Sequence, residues 1–295
     1  MKRAILGVTV SLLLGIAFTA SPVTSMAQSA DQHWTITGNL TPVSASAQFA
    51  GGTVSTLAAT LASTDRSIFA NMVGAPSYYT LSGTLQGNVY RYPMTLTVEP
   101  GYTAVAAEIG HDPITHQQLL EVALVSSPPT VQTGGSAASS PVETRSGSSA
   151  LAPSLQTSDP STSGYFETVW ADPVGITTNL VQDNVSWQYN GTDVTSATYS
   201  DYRWWLSNDG WYEVSHIIQA GYTGNPTLWV DTWDEFQNNA FCYILGTQVQ
   251  TYYEPNQVIA HGNGSISGST NTYDYYSNNN GCPGLHWYTV VSGGA

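Results

Sequence analysis

Most apolar segments of this chain carry their apolar residues at every second position, and turn signals interrupt them every few residues. Side chains alternate between the two faces of a strand but recur at 3.6 residues on a helix, so this period predicts strands. "HWTITGNL" (33–40), "NPTLWVDTW" (225–233), "QVQTYYE" (248–254) and "LHWYTVV" (285–291) all read this way. Asn190-Gly191 supplies a hairpin turn inside "SWQYNGTDVTSATY", and Asp112-Pro113 starts another. Only "VSTLAATLAS" (54–63), rich in alanine, allows a short helix, and no long amphipathic helix is visible. Short strands between frequent turns predict an all-β protein built from antiparallel sandwiches or barrels.

Composition then divides the chain. Residues 31–126 alternate with few aromatics, whereas 164–295 hold eight of the nine tryptophans and thirteen of the eighteen tyrosines. Between them, 127–163 is dominated by Ser, Thr, Pro and Gly. Such a segment buries too little apolar surface to offset its ordering entropy, which predicts a flexible linker. The expected architecture is two antiparallel β-sandwich-like domains, 31–126 and 164–295, joined by that linker.

Lys2 and Arg3, an apolar run centred on "ILGVTVSLLLGIAF", then Pro22, Ser25 and Ala27, form the pattern of a secretory signal peptide over residues 1–27. Once it is removed, Arg66, Arg91, Arg145 and Arg203 are the only basic side chains apart from histidine. Four positive charges against 20 acidic residues give a formal charge of −16. Nucleic-acid binding needs a basic footprint and is excluded, as is attraction to anionic lipid. A lysine Schiff base is excluded by composition. Charged residues make up only 9% of the chain, so neutral polar groups carry the solubility, a composition suited to acidic surroundings. In an exported protein Cys242 and Cys282 are expected to pair. The bond would close a loop of about 40 residues, a constraint rated at about 4 kcal/mol by chain entropy.

The stretch "DYRWWLSNDGWYEVSH" (201–216) reads as a hairpin about Asn208-Asp209-Gly210, with the glycine in the left-handed region. In that register Tyr202, Trp204, Leu206, Tyr212, Val214 and His216 share one face, expected to be core. Arg203, Trp205, Ser207, Trp211, Glu213 and Ser215 share the other, expected to look outward. In "TLWVDTWDE", Leu228, Val230 and Thr232 take one face, and Trp229, Asp231, Trp233 and Glu235 the opposite one. Aromatic rings stack on the apolar faces of sugars, while carboxylates and guanidinium groups bind hydroxyls. Trp205, Trp211, Trp229 and Trp233, with Asp231, Arg203 and Glu213, are therefore the candidate binding residues.

No metalloprotease, nucleophile-elbow, phosphate-loop or dinucleotide signature is present. His111, Asp112 and His116 flank a turn, but their spacing fits no usual zinc pattern, so neither metal nor cofactor is expected. Asp231, Asp234 and Glu235 form the densest acidic cluster, a paired-carboxylate arrangement of the kind glycoside hydrolysis uses. Three roles stay open: a secreted non-catalytic binder of polysaccharide, an acid-active hydrolase using Asp231, Glu235 or Glu213, and an extracellular structural protein whose aromatic face meets another protein.

Overall fold

The computed structural model describes residues 33–64, 66–126, 147–150, 159–224, 227–241, 248–276, 282 and 285–294. The chain begins with β1 (Trp34–Gly38), β2 (Leu40–Val43) and the small hairpin β3 (Gln48–Phe49) and β4 (Gly52–Thr53). Two α-helices follow, α1 (Val54–Thr64) and α2 (Arg66–Phe69). Next come β5 (Met72–Ser82), β6 (Thr84–Gln86), β7 (Val89–Arg91), β8 (Met94–Val98), β9 (Tyr102–Asp112) and β10 (Gln117–Val125). After β11 (Gly147–Ala150) the long strands are β12 (Ser161–Ala171), β13 (Thr177–Tyr189), β14 (Val194–Trp205), β15 (Trp211–Thr223) and β16 (Thr227–Asn238). The last three are β17 (Val249–His261), β18 (Ile266–Tyr276) and β19 (His286–Gly293).

Two antiparallel sheets face each other. A six-stranded sheet runs β1-β8-β18-β17-β16-β15, and a nine-stranded sheet runs β11-β14-β13-β12-β19-β9-β10-β5-β2. Leu96, Phe236, Tyr253 and Val258 of the first sheet meet Phe166, Trp170, Val185 and Trp187 of the second in one buried cluster. Each large apolar side chain buried there contributes about 1.5–3 kcal/mol. The sheets approach most closely at Gly268, where an added Cβ would lie 1.7 Å from the Phe166 ring.

The outer faces differ. In β9 and β10 burial is almost continuous, whereas β17 alternates buried and half-buried residues along its length. Continuous apolar strands such as "QQLLEVALV" need cover on both sides. The helical segment provides it: Val54, Ala58, Ile68 and Phe69 pack on Val105, Ala107, Leu119, Leu180 and Trp204 of the nine-stranded sheet. Two glutamates share that covered face, and burial pushes Glu121 up to about 7 and Glu167 up to about 8.

Three expectations change. Two separate sandwiches do not form, because β8 pairs with β18 and β9 pairs with β19, so the segments 31–126 and 164–295 contribute to both sheets. Of the expected linker, 127–146 and 151–158 lie outside the described residues. Residues 147–150 form β11 beside β14, and 161–163 open β12. The third change is at 201–216. Ser207–Asp209 is a 3-10 turn closed by Gly210 at φ 87°, the left-handed glycine expected there. The flanking strands do not pair with each other, since β14 pairs with β13 and β15 with β16. The turn is an arch between sheets. A hairpin and an arch need the same local backbone, and only the partners of the two strands tell them apart.

The signal-peptide segment 1–27 and Cys242 lie outside the described residues; Cys282 is 5% exposed. Among the described residues, no helix is long and apolar enough to cross a membrane.

Candidate functional site

The arch decides where the predicted site residues go. Odd-numbered side chains of β14 point between the sheets, and the inward face of β15 meets them there. Trp211, only 1% exposed, packs on Phe241 with ring centroids 5.5 Å apart, and half-buried Trp205 packs on Phe236 at 5.7 Å. Arg203 is 3% exposed and pairs with Glu213. Trp205, Trp211, Arg203 and Glu213 thus keep the shared face that the sequence gives them, but it is an interior face. Conversely, Tyr212 and Val214, expected in the core, are 39% and 46% exposed. Trp204 is buried under the helical layer.

β16 follows its sequence pattern. Leu228, Val230, Thr232, Asp234 and Phe236 point inward, and Trp229, Asp231, Trp233 and Glu235 point outward. The densest acidic cluster is therefore split between the two faces. On the outward face Trp229 lies opposite Gly221, Asp231 opposite Gln219, Trp233 opposite Ile217, and Glu235 opposite Ser215. The Trp229 ring lies across Gly221, where a Cβ would sit 2.6 Å from it. Ile217 beside Trp233 is 53% exposed. On the other flank Gln257 Nε2 donates to Asp231, and Gln250 Nε2 donates to Glu235 at 2.7 Å. Tyr252 stacks on Tyr273 with centroids 4.8 Å apart, and the Arg91 guanidinium lies 5.1 Å from the Tyr273 ring centre. Partial burial raises the carboxyls of both Asp231 and Glu235 above their ordinary values.

On this outward face Trp229, Trp233 and Glu235 are half-buried and Asp231 is 9% exposed. Asp231 and Glu235 are four residues apart on one strand, about 13 Å at the usual rise. That exceeds the roughly 5–10 Å at which two carboxylates act on one glycosidic bond. A cleft of about 660 Å³ lies elsewhere, between Ser161–Ser163, Trp187 and Ser196–Thr198, and among the described residues its lining contains no carboxylate. His111 faces Glu108 at 3.6 Å, while the His116 ring stacks on Tyr90 at 3.5 Å between centroids.

Between the sheets lies a second arrangement that the periodicity left unread, a polar cluster in the middle of the core. Asp183, fully buried, accepts bonds from Thr232 Oγ1 and from Asn256 Nδ2 at 2.8 Å. Burial is the main reason its carboxyl lies well above the usual range. Asn179 Oδ1 accepts from Thr251 at 3.0 Å and Tyr253 at 2.7 Å. Toward the arch, Arg203 Nε lies 2.9 Å from Asp201, and His216 Nδ1 lies 2.9 Å from Asp234 Oδ1. A bulge at Val214 turns both Glu213 and His216 inward, which regular alternation would forbid for residues three apart. The signal for this cluster was present. Asp183 shares the parity of Val181, Val185 and Trp187, which makes it a charged residue at a core position.

No family model matches the chain, and no curated protein or solved structure matches it.

Proposed function

We propose that this is an exported, non-catalytic binding protein that takes polysaccharide on the outward face of its six-stranded sheet. The observation that supports this most is the placement of Trp229 and Trp233 on one outward face, with Asp231, Glu235, Gln219, Gln250 and Gln257 around them. Half-buried indoles offer stacking surfaces for sugar rings, and the carboxyl and amide groups offer hydrogen bonds to hydroxyls. Half-buried Tyr252, stacked on Tyr273, extends the aromatic surface to the next strand. A disulfide between Cys242 and Cys282 and a leader over residues 1–27 belong to the same reading.

The test is a depletion assay of the full chain, freed of residues 1–27, on a panel of insoluble polysaccharides at pH 3 and pH 7. Binding to at least one polymer is expected, weakened tenfold or more in folded Trp229→Ala/Trp233→Ala. A folded wild type that leaves every polymer unbound would overturn the carbohydrate reading.

A further inference from the structure

We propose that Glu213, His216 and Asp234 hold a divalent first-row cation of the zinc or manganese class between the two sheets. The three side chains come from adjacent strands, β15 and β16, and one ligand atom from each lies within 4.8 Å of the other two. Ligands on opposite sides of an ion bound at about 2.0–2.2 Å are about 4–4.4 Å apart, so closure needs only a small movement. Glu213, its side chain 24% exposed and on an edge strand, is the least enclosed of the three.

Two independent observations point to an ion rather than to a closed ion-pair network. Asp234 is 3% exposed, and its Oδ2 has no hydrogen-bond partner among the described residues; the same holds for Oδ1 of fully buried Asp201. Buried carboxylate oxygens left this way are costly. The charge is also unbalanced. With the imidazole neutral, as a ligating histidine must be, Asp201, Glu213 and Asp234 face one guanidinium, Arg203, which leaves two formal negative charges among these four side chains. A divalent cation supplies that difference. Arg203 holds Asp201 and Glu213 in place, and His216 Nε2 faces Asp201 Oδ2 at 3.5 Å. With Nδ1 toward the ion, Asp201 is the outer carboxylate that orients a ligating imidazole. One imidazole and two carboxylates suit zinc or manganese better than a soft metal.

The experiment strips the full chain, freed of residues 1–27, with a chelator, then titrates it with Zn2+ and Mn2+ by calorimetry and thermal unfolding. One ion per chain is expected, with a raised Tm and an affinity weakened at least 100-fold in folded His216→Gln. Glu213→Gln, at the more exposed position, serves if the deeper variant fails to fold, and its affinity should fall at least tenfold. Trp229→Ala/Trp233→Ala should bind the ion as the wild type does. The site is overturned if the folded wild type binds neither metal. It is equally overturned if the binding persists unchanged in the folded variants, which would show an adventitious ion elsewhere.

Discussion

Trp211 and Trp233 lie on neighbouring strands of one sheet, each close in sequence to carboxylates, and they point in opposite directions. Trp211 is sealed against Phe241 under the nine-stranded sheet. Trp233 stands beside exposed Ile217 on the uncovered face. The difference shows that a tryptophan next to an acid is not in itself a surface motif. In β15 the acid near the indole, Glu213, belongs to a polar cluster inside the sandwich. In β16 the acids beside Trp233 on its own face, Asp231 and Glu235, belong to the outer face. What separates the two is whether another layer covers that side of the sheet.

The comparison breaks first, and most visibly, through stability. Trp211→Ala should cost about 3–5 kcal/mol, the usual loss for a large aromatic removed from a core, read from urea unfolding. The two close-approach glycines sharpen the same contrast. Gly268→Ala drives a methyl into the Phe166 ring between the sheets and should cost about 1–3 kcal/mol or more. Gly221→Ala meets the Trp229 ring, a half-buried side chain on the outward face. It should leave the unfolding midpoint nearly unchanged while weakening polymer binding. Equal losses at the two glycines would mean that the outward face is covered after all.

A pH experiment tests the covered face of the other sheet. Glu167, fully buried near Tyr165, Gln182 and Tyr202, has its carboxyl raised from 4.5 to about 8. A carboxyl with a higher pKa folded than unfolded holds its proton more tightly in the folded state. Its contribution is fully present below about pH 4.5 and is lost as pH rises toward and through about 8. Stability should therefore fall between pH 5 and 8.5, and Glu167→Gln should flatten that fall. An unchanged pH profile in the variant would place the burden elsewhere, with Glu121 and Asp274, each raised to about 7, as the next groups to replace. A small effect is expected at Trp233. Trp233→Ala should cost about 1 kcal/mol or less, since half of the comparison rests on its lying over solvent. A loss matching that of Trp211→Ala would end it.

Much of the local structure was legible. The parity of "TLWVDTWDE" places Trp229, Asp231, Trp233 and Glu235 on one face, and the structure keeps them there. Asn190-Gly191 turns between β13 and β14, with Gly191 at φ 97° and Asn190 Oδ1 accepting from the Thr192 and Asp193 amides. Asp112 caps the turn after β9 in the same way, and "VSTLAATLAS" becomes α1. Of the interior cluster only Asp183, a charged residue at a core parity, was legible, because no local pattern reports that residues 201 and 234 meet across two sheets.

What the sequence determined by itself is the period, the turns and the sorting of side chains into two faces, because alternation and left-handed glycines are local properties of the backbone. Only the tertiary structure decided which face is inside. That depends on pairing between strands distant in the chain: β8 with β18, β9 with β19, and β14 and β15 sent to opposite sheets from one turn. A strand buried on both faces and a strand buried on one differ in their neighbours, and those neighbours come from the other end of the polypeptide.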